Sequence, residues 1–64
     1  MFTVDFYEWI PYRKIAEFVF NEVVPIPKVG DLVHINDKCY YIMAEAACIY
    51  YSIDDFKIIL TVRR

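Results

Sequence analysis

Branched and aromatic side chains dominate this chain, and good helix formers are scarce. Valine, isoleucine and threonine supply 18 residues and the aromatics 12 more, whereas leucine and alanine together supply six. Branched and aromatic groups pack well on a pleated surface and lose rotamer freedom in a helix. The sequence therefore predicts an all-β fold. Its 64 residues make one small β domain, 1–64, near the lower size limit, since a body of this mass buries only ~60% of its extended-chain surface. Apolar residues make up 59% of the chain, more than so small a body can enclose. Apolar area is therefore expected outside, as an interaction surface.

The strands can be read from alternation and punctuation. Phe2, Val4 and Phe6 alternate with Thr3, Asp5 and Tyr7 as far as Trp9, and Pro11 ends the run. This segment is expected at a sheet edge, discouraged from edge-to-edge pairing only by Asp5 and Glu8. Val4→Lys would then weaken a dimer. Residues 13–24, RKIAEFVFNEVV, fit two patterns. Ile15, Phe18, Val19, Glu22 and Val23 make a helical stripe, so a short helix near 12–22 is one reading. The aromatic and branched content, with Pro25 and Pro27 following at once, favours strand. A turn is expected at Lys28–Asp31, a strand in DLVHIN, a second turn at Asn36-Asp37 and a third at Ser52–Asp55, followed by FKIILTV. Between them, CYYIMAEAACIYY reads as one strand apolar on both faces. Such a strand is either central and curved, or covered on its second side by another chain.

Five strands joined by short turns predict a small barrel or a strongly bent antiparallel sheet. The segment IPKVGDLVHINDKCYYIM resembles the opening of SH3-like barrels, in which an extended Pro-x-x-Gly-Asp lead enters a strand, a tight turn and a second strand. It is also similar to short bacteriophage and prophage proteins with a VGDLVHIN…CYYIM type of core. The resemblance covers roughly a third of the chain. It implies a fold and a mobile-element origin, and it transfers no functional residue.

Chemistry finds little material. His34, Cys39 and Cys48 are the only soft ligands, whereas structural zinc wants four, usually in close pairs. The two cysteines read as buried thiols. His34 and Cys39 flank the Asn36-Asp37 turn and could face each other across a hairpin. Catalysis would also need a thiolate-favouring environment and an oxyanion site. Asp54-Asp55 is turn-capping chemistry, and the single glycine cannot build a phosphate loop. The expectation is no enzyme, no metal and no cofactor.

What remains is surface recognition. Tyr40-Tyr41 and Tyr50-Tyr51 are adjacent pairs on a strand, so each pair sends rings to both faces. Tyr7, Trp9 and Tyr12 form a second aromatic group near the first turn. Tyr7, Trp9, Tyr12, Tyr40, Tyr50 and Tyr51 are the candidate protein-binding residues, because large rings with few rotors dominate binding hot spots. A net charge of −2 without a basic stripe argues against nucleic acid, although Trp9, Tyr40 and Tyr50 could serve as stacking platforms. No run reaches the ~20 apolar residues of a membrane helix, and the start lacks a secretory pattern. A cytoplasmic location is expected. The predicted function is a non-enzymatic protein-interaction module, phage or mobile-element encoded, that blocks a host protein such as a defence system. The alternative is a structural or assembly component of a virion or symmetric oligomer.

Overall fold

A computed structural model describes every residue except Val23, so that member of the proposed helical stripe lies outside the described residues. The fold is all-β. Among the described residues six strands, β1 Phe2–Glu8, β2 Arg13–Phe20, β3 Leu32–Ile35, β4 Lys38–Ile42, β5 Ala47–Ser52 and β6 Asp55–Arg63, form one strongly curled half-barrel sheet. The ambiguous second segment is the strand β2. The strand order is β2-β1-β6-β4-β3, and β5 also pairs with β6.

The centre of the sheet corrects two expectations. β1 is not an edge strand: it runs antiparallel to β2 on one side and parallel to β6 on the other. The sheet is accordingly mixed rather than purely antiparallel. Val4 is 3% exposed, so Val4→Lys would place a charge in the core rather than blunt an edge. The reason is the partner strand. FKIILTV in β6 is a nearly continuous apolar run with none of its residues exposed, which suits a central strand.

The third correction concerns CYYIMAEAACIYY, which is two strands rather than one. β4 pairs with Val62 and Arg63 at one end of β6, and β5 pairs with residues 55–59 at the other. The chain bends at residues 43–46, where the Met43 amide donates to the Thr61 carbonyl at 2.9 Å. Nine residues of β6 are long enough to take both strands in tandem, and the alanine-rich MAEA stretch has little β preference to resist the bend. Six strands result, not five.

The turns form where turn residues were expected. Asn36 and Asp37 have φ of 52° and 66°, the left-handed pair that a two-residue hairpin needs to match strand twist. Gly30 has φ of 92°, a region that costs glycine nothing. Its amide donates to Ile42 O, while Ile42 N donates to Asp31 O, each at 2.9 Å. These two bonds extend the β3–β4 hairpin backwards.

The core lies inside the curl. Phe2, Val4, Phe6, Ile35, Tyr40, Ile42, Leu60 and Val62 are buried, with Leu60 and Val62 at 0% exposure. A row of rings crosses four strands at one end. Phe20 and Phe2 stack at 5.4 Å, Phe2 and Phe56 at 4.9 Å, and Phe56 meets Tyr50 at 5.5 Å. The accessible surface is 4733 Å², against ~4,300 Å² for a compact monomer of this mass. A half-open barrel leaves more outside than a closed one.

Candidate functional site

The first aromatic group assembles as a preformed cluster. Tyr7 ends the Thr3, Asp5, Tyr7 side of β1, and Tyr12 immediately precedes β2. A register shift between Phe6 and Tyr7 inserts one extra residue in β2 and twists the hairpin there. Tyr7 and Tyr12 stack at 4.9 Å, and Trp9 meets Tyr12 edge-on at 6.0 Å. Two contacts fix the hairpin beneath them. The Trp9 amide donates to Val62 O at 2.9 Å, and the Arg13 guanidinium pairs with the mostly buried Glu8 carboxylate at 3.2 Å. Even so, Trp9 is 49% and Tyr12 55% exposed.

Beside this cluster opens a cleft of about 510 Å³ lined by Glu8, Trp9, Ile10, Met43, Arg63 and Arg64. It brings an indole, two aliphatic groups and two guanidinium groups to one end of β6. Sequence reasoning missed Ile10, which is 74% exposed at the tip of the turn. An isoleucine directly before Pro11, past the last alternating position, was the available signal.

The second aromatic group sits on β5, where all six residues are exposed. Tyr50 and Tyr51 both lie outside. A register shift between Tyr50 and Ser52 leaves Tyr51 without a partner on β6, so simple alternation does not hold there. Ile53, in the following turn, is almost fully exposed. Cys48 and Tyr50 share a face two residues apart, and the thiol raises the phenol above its ordinary pKa, first by a hydrogen bond and then by charge.

Tyr40 leaves the set of surface candidates. It is 4% exposed and belongs to the core, while Tyr41 is the exposed member of its pair. It cannot serve as a stacking platform. The cysteines are also corrected, since Cys39 and Cys48 are both exposed free thiols. Edge and hairpin strands place one face in solvent, and both residues fall on such positions. His34 and Cys39 are register partners across the hairpin, and both are exposed. No cluster of three potential metal ligands occurs among the described residues.

The opposite face of the central strands holds a buried charge that parity alone did not reveal. Asp5 is fully buried, with Lys57 Nζ at 3.3 Å and Lys14 Nζ at 3.6 Å from Oδ2. Lys14 also pairs with Glu17. The contact with Asp5, as hydrogen-bond partner and as charge, raises Lys57 above the ordinary lysine value. Glu17 is lowered by its hydrogen bond and charge contact with Lys14. The long lysine stems cover the carboxylate, and the four charges balance. This arrangement is a strut between β1, β2 and β6.

A second recess, about 380 Å³, opens inside the curl between β2 and β3, walled by Val4, Phe6, Phe18, Phe20, Ile26 and Val33 among others. It is the unclosed seam of the half-barrel, partly filled by the Pro25–Pro27 segment. No helix is long and apolar enough to cross a membrane among the described residues. Comparisons with protein-family models, with curated proteins and with solved structures return no match to this chain.

Proposed function

We propose that this chain is a non-enzymatic protein-binding module whose contact surface is the first-turn cluster of Tyr7, Trp9, Ile10 and Tyr12. One observation carries the reading: three rings are packed against one another on an anchored hairpin while Trp9 and Tyr12 stay about half exposed. Rings already ordered by their neighbours lose little freedom on binding, and such aromatics dominate interface energetics. Arg63 and Arg64 at the adjacent cleft favour a partner that presents a carboxylate beside an apolar anchor. A blocker encoded by a phage or mobile element is the narrower form of this proposal. It rests on the VGDLVHIN…CYYIM resemblance.

The test replaces Tyr12 with a photo-crosslinking aromatic residue and exposes the protein to a lysate of its source cell. A single protein should be captured, at moderate salt, and Trp9→Ala should strongly weaken the capture. The same adduct from a crosslinker at Val29, an exposed turn residue on another part of the surface, would overturn the assignment. Capture of nucleic acid that vanishes with rising salt would overturn it in favour of phosphate binding.

A further inference from the structure

A different part of the molecule carries an independent inference. Among the described residues the sheet has three free edges, on β2, β3 and β5. Natural edges are blunted by charge, by shortness, by proline or by bulges. β2 carries Arg13, Lys14 and Glu17, and β3 is only four residues long. β5, ACIYYS, has six residues with no charge, proline or glycine, and its single device is the irregularity at Tyr51. Among the described residues it pairs with β6 alone, so its outer row of amides and carbonyls has no strand partner.

We propose that β5 pairs antiparallel with β5 of a second copy of this chain, in a register centred on Ile49. A twofold axis normal to the sheet keeps each face on its own side, so paired positions have equal parity and the axis passes between the two copies of one residue. Two centrings pair five residues of the strand. Centring on Tyr50 carries the pairing to Ser52, across the irregularity between Tyr50 and Ser52. Centring on Ile49 keeps its inner pairs, Cys48 to Tyr50, on the regular part of the strand. Ile49 then meets its own copy, Cys48 meets Tyr50, and Ala47 meets Tyr51.

The ring row supports the same occupant. Phe20, Phe2, Phe56 and Tyr50 cross the sheet to the free edge, where Tyr50 stands 72% exposed. In the Ile49-centred register the two Tyr50 rings become diagonal neighbours, a spacing aromatic side chains can bridge. The row then continues into the second copy. Tyr50 and Tyr51 expose 72% and 63% of their surface, so covering them together with Ile49 would bury under ~1,000 Å² over both copies. That is the range of weak, transient interfaces and implies a concentration-dependent dimer rather than an obligate one.

Sedimentation equilibrium over a concentration series tests the pairing. The full chain should shift from monomer to dimer, and Ile49→Lys should weaken association at least tenfold with an unchanged far-UV circular dichroism spectrum. If Ile49→Lys disturbs the fold, Tyr50→Lys at the more exposed position should give the same loss. Ile49→Cys in a Cys39→Ser, Cys48→Ser background should oxidise to a covalent dimer, which reads the register directly. A monomer persisting to ~1 mM, or a dimer that survives both lysine variants, would overturn the proposal. Trp9→Ala should leave the dimer intact, so failure here is separable from failure of the first-turn site.

Discussion

At the first turn, Tyr7, Trp9 and Tyr12 lean on one another above a hairpin held by an ion pair and a backbone bond to β6. Along β5, Tyr50 and Tyr51 stand out from a strand supported on one side only. Both regions expose aromatic area, but the first is preorganised in its rings and the second in its backbone. A preformed ring cluster offers shape to a partner's side chains. An unpaired edge offers hydrogen bonds to another strand, and the rings add area on either face. Similar residues therefore prepare two kinds of contact, and the difference lies in what each region leaves unsatisfied.

Leu60→Ala is the severest test of this division, because Leu60 is fully buried on the strand that supports both regions. It should cost about 3–4 kcal/mol, a large share of the stability of a domain this small. In urea melts, both regions should be lost in one transition. Separate transitions for Trp9 fluorescence and backbone circular dichroism would show the two regions to be independent units. Trp9→Ala should come next, weakening partner capture by about 30-fold, or ~2 kcal/mol, while the melting midpoint moves far less.

The ionic strut beneath the sheet gives a pH signature with two limbs. Lys57 is raised by Asp5, so its contribution is fully present below the ordinary lysine value and is lost as pH rises through the folded one. Glu17 is lowered by Lys14, so its contribution is present above the ordinary glutamate value and is lost as pH falls through the folded one. Lys14 is raised as well, first by its hydrogen bond to Glu17, so Lys57→Gln should flatten part of the alkaline limb of a stability–pH curve and leave the Lys14 part and the Glu17 part of the acid limb in place. An alkaline limb identical to that of the parent would show that Asp5 is held by other means. Smallest of all, Ile53→Ser at the tip of the β5–β6 turn should change folding stability by under ~0.5 kcal/mol. A larger loss in a dilute urea melt would mean that the β5 end is buttressed in the monomer.

The residues made much of the local structure legible. Alternation located β1, aromatic and branched content with the prolines that follow favoured strand for β2, φ-positive turn residues located the β3–β4 hairpin, and the branched run located β6. Ring proximity at the first turn followed from Tyr7, Trp9 and Tyr12 flanking Pro11. Less legible was which strands neighbour one another. An exposed-side Asp5 and an alternating Phe2–Glu8 read equally well at an edge, and only two flanking strands with lysines covering the carboxylate explain its burial. Tyr40 and Tyr41 could not be told apart either, because adjacent positions on a strand differ only in face, and the curl of the sheet decides which face is inside.

Composition and alternation by themselves determined an all-β chain with more apolar surface than it can enclose, because side-chain shape and period act over a few residues. Tertiary structure alone decided that β1 and β6 pair in parallel at the centre, that the tyrosine-rich run breaks in two, and that β5 is left with a bare edge. Those outcomes depend on which distant segments share a hydrogen-bonding ladder. A single strand's pattern records its buried face but not its neighbours.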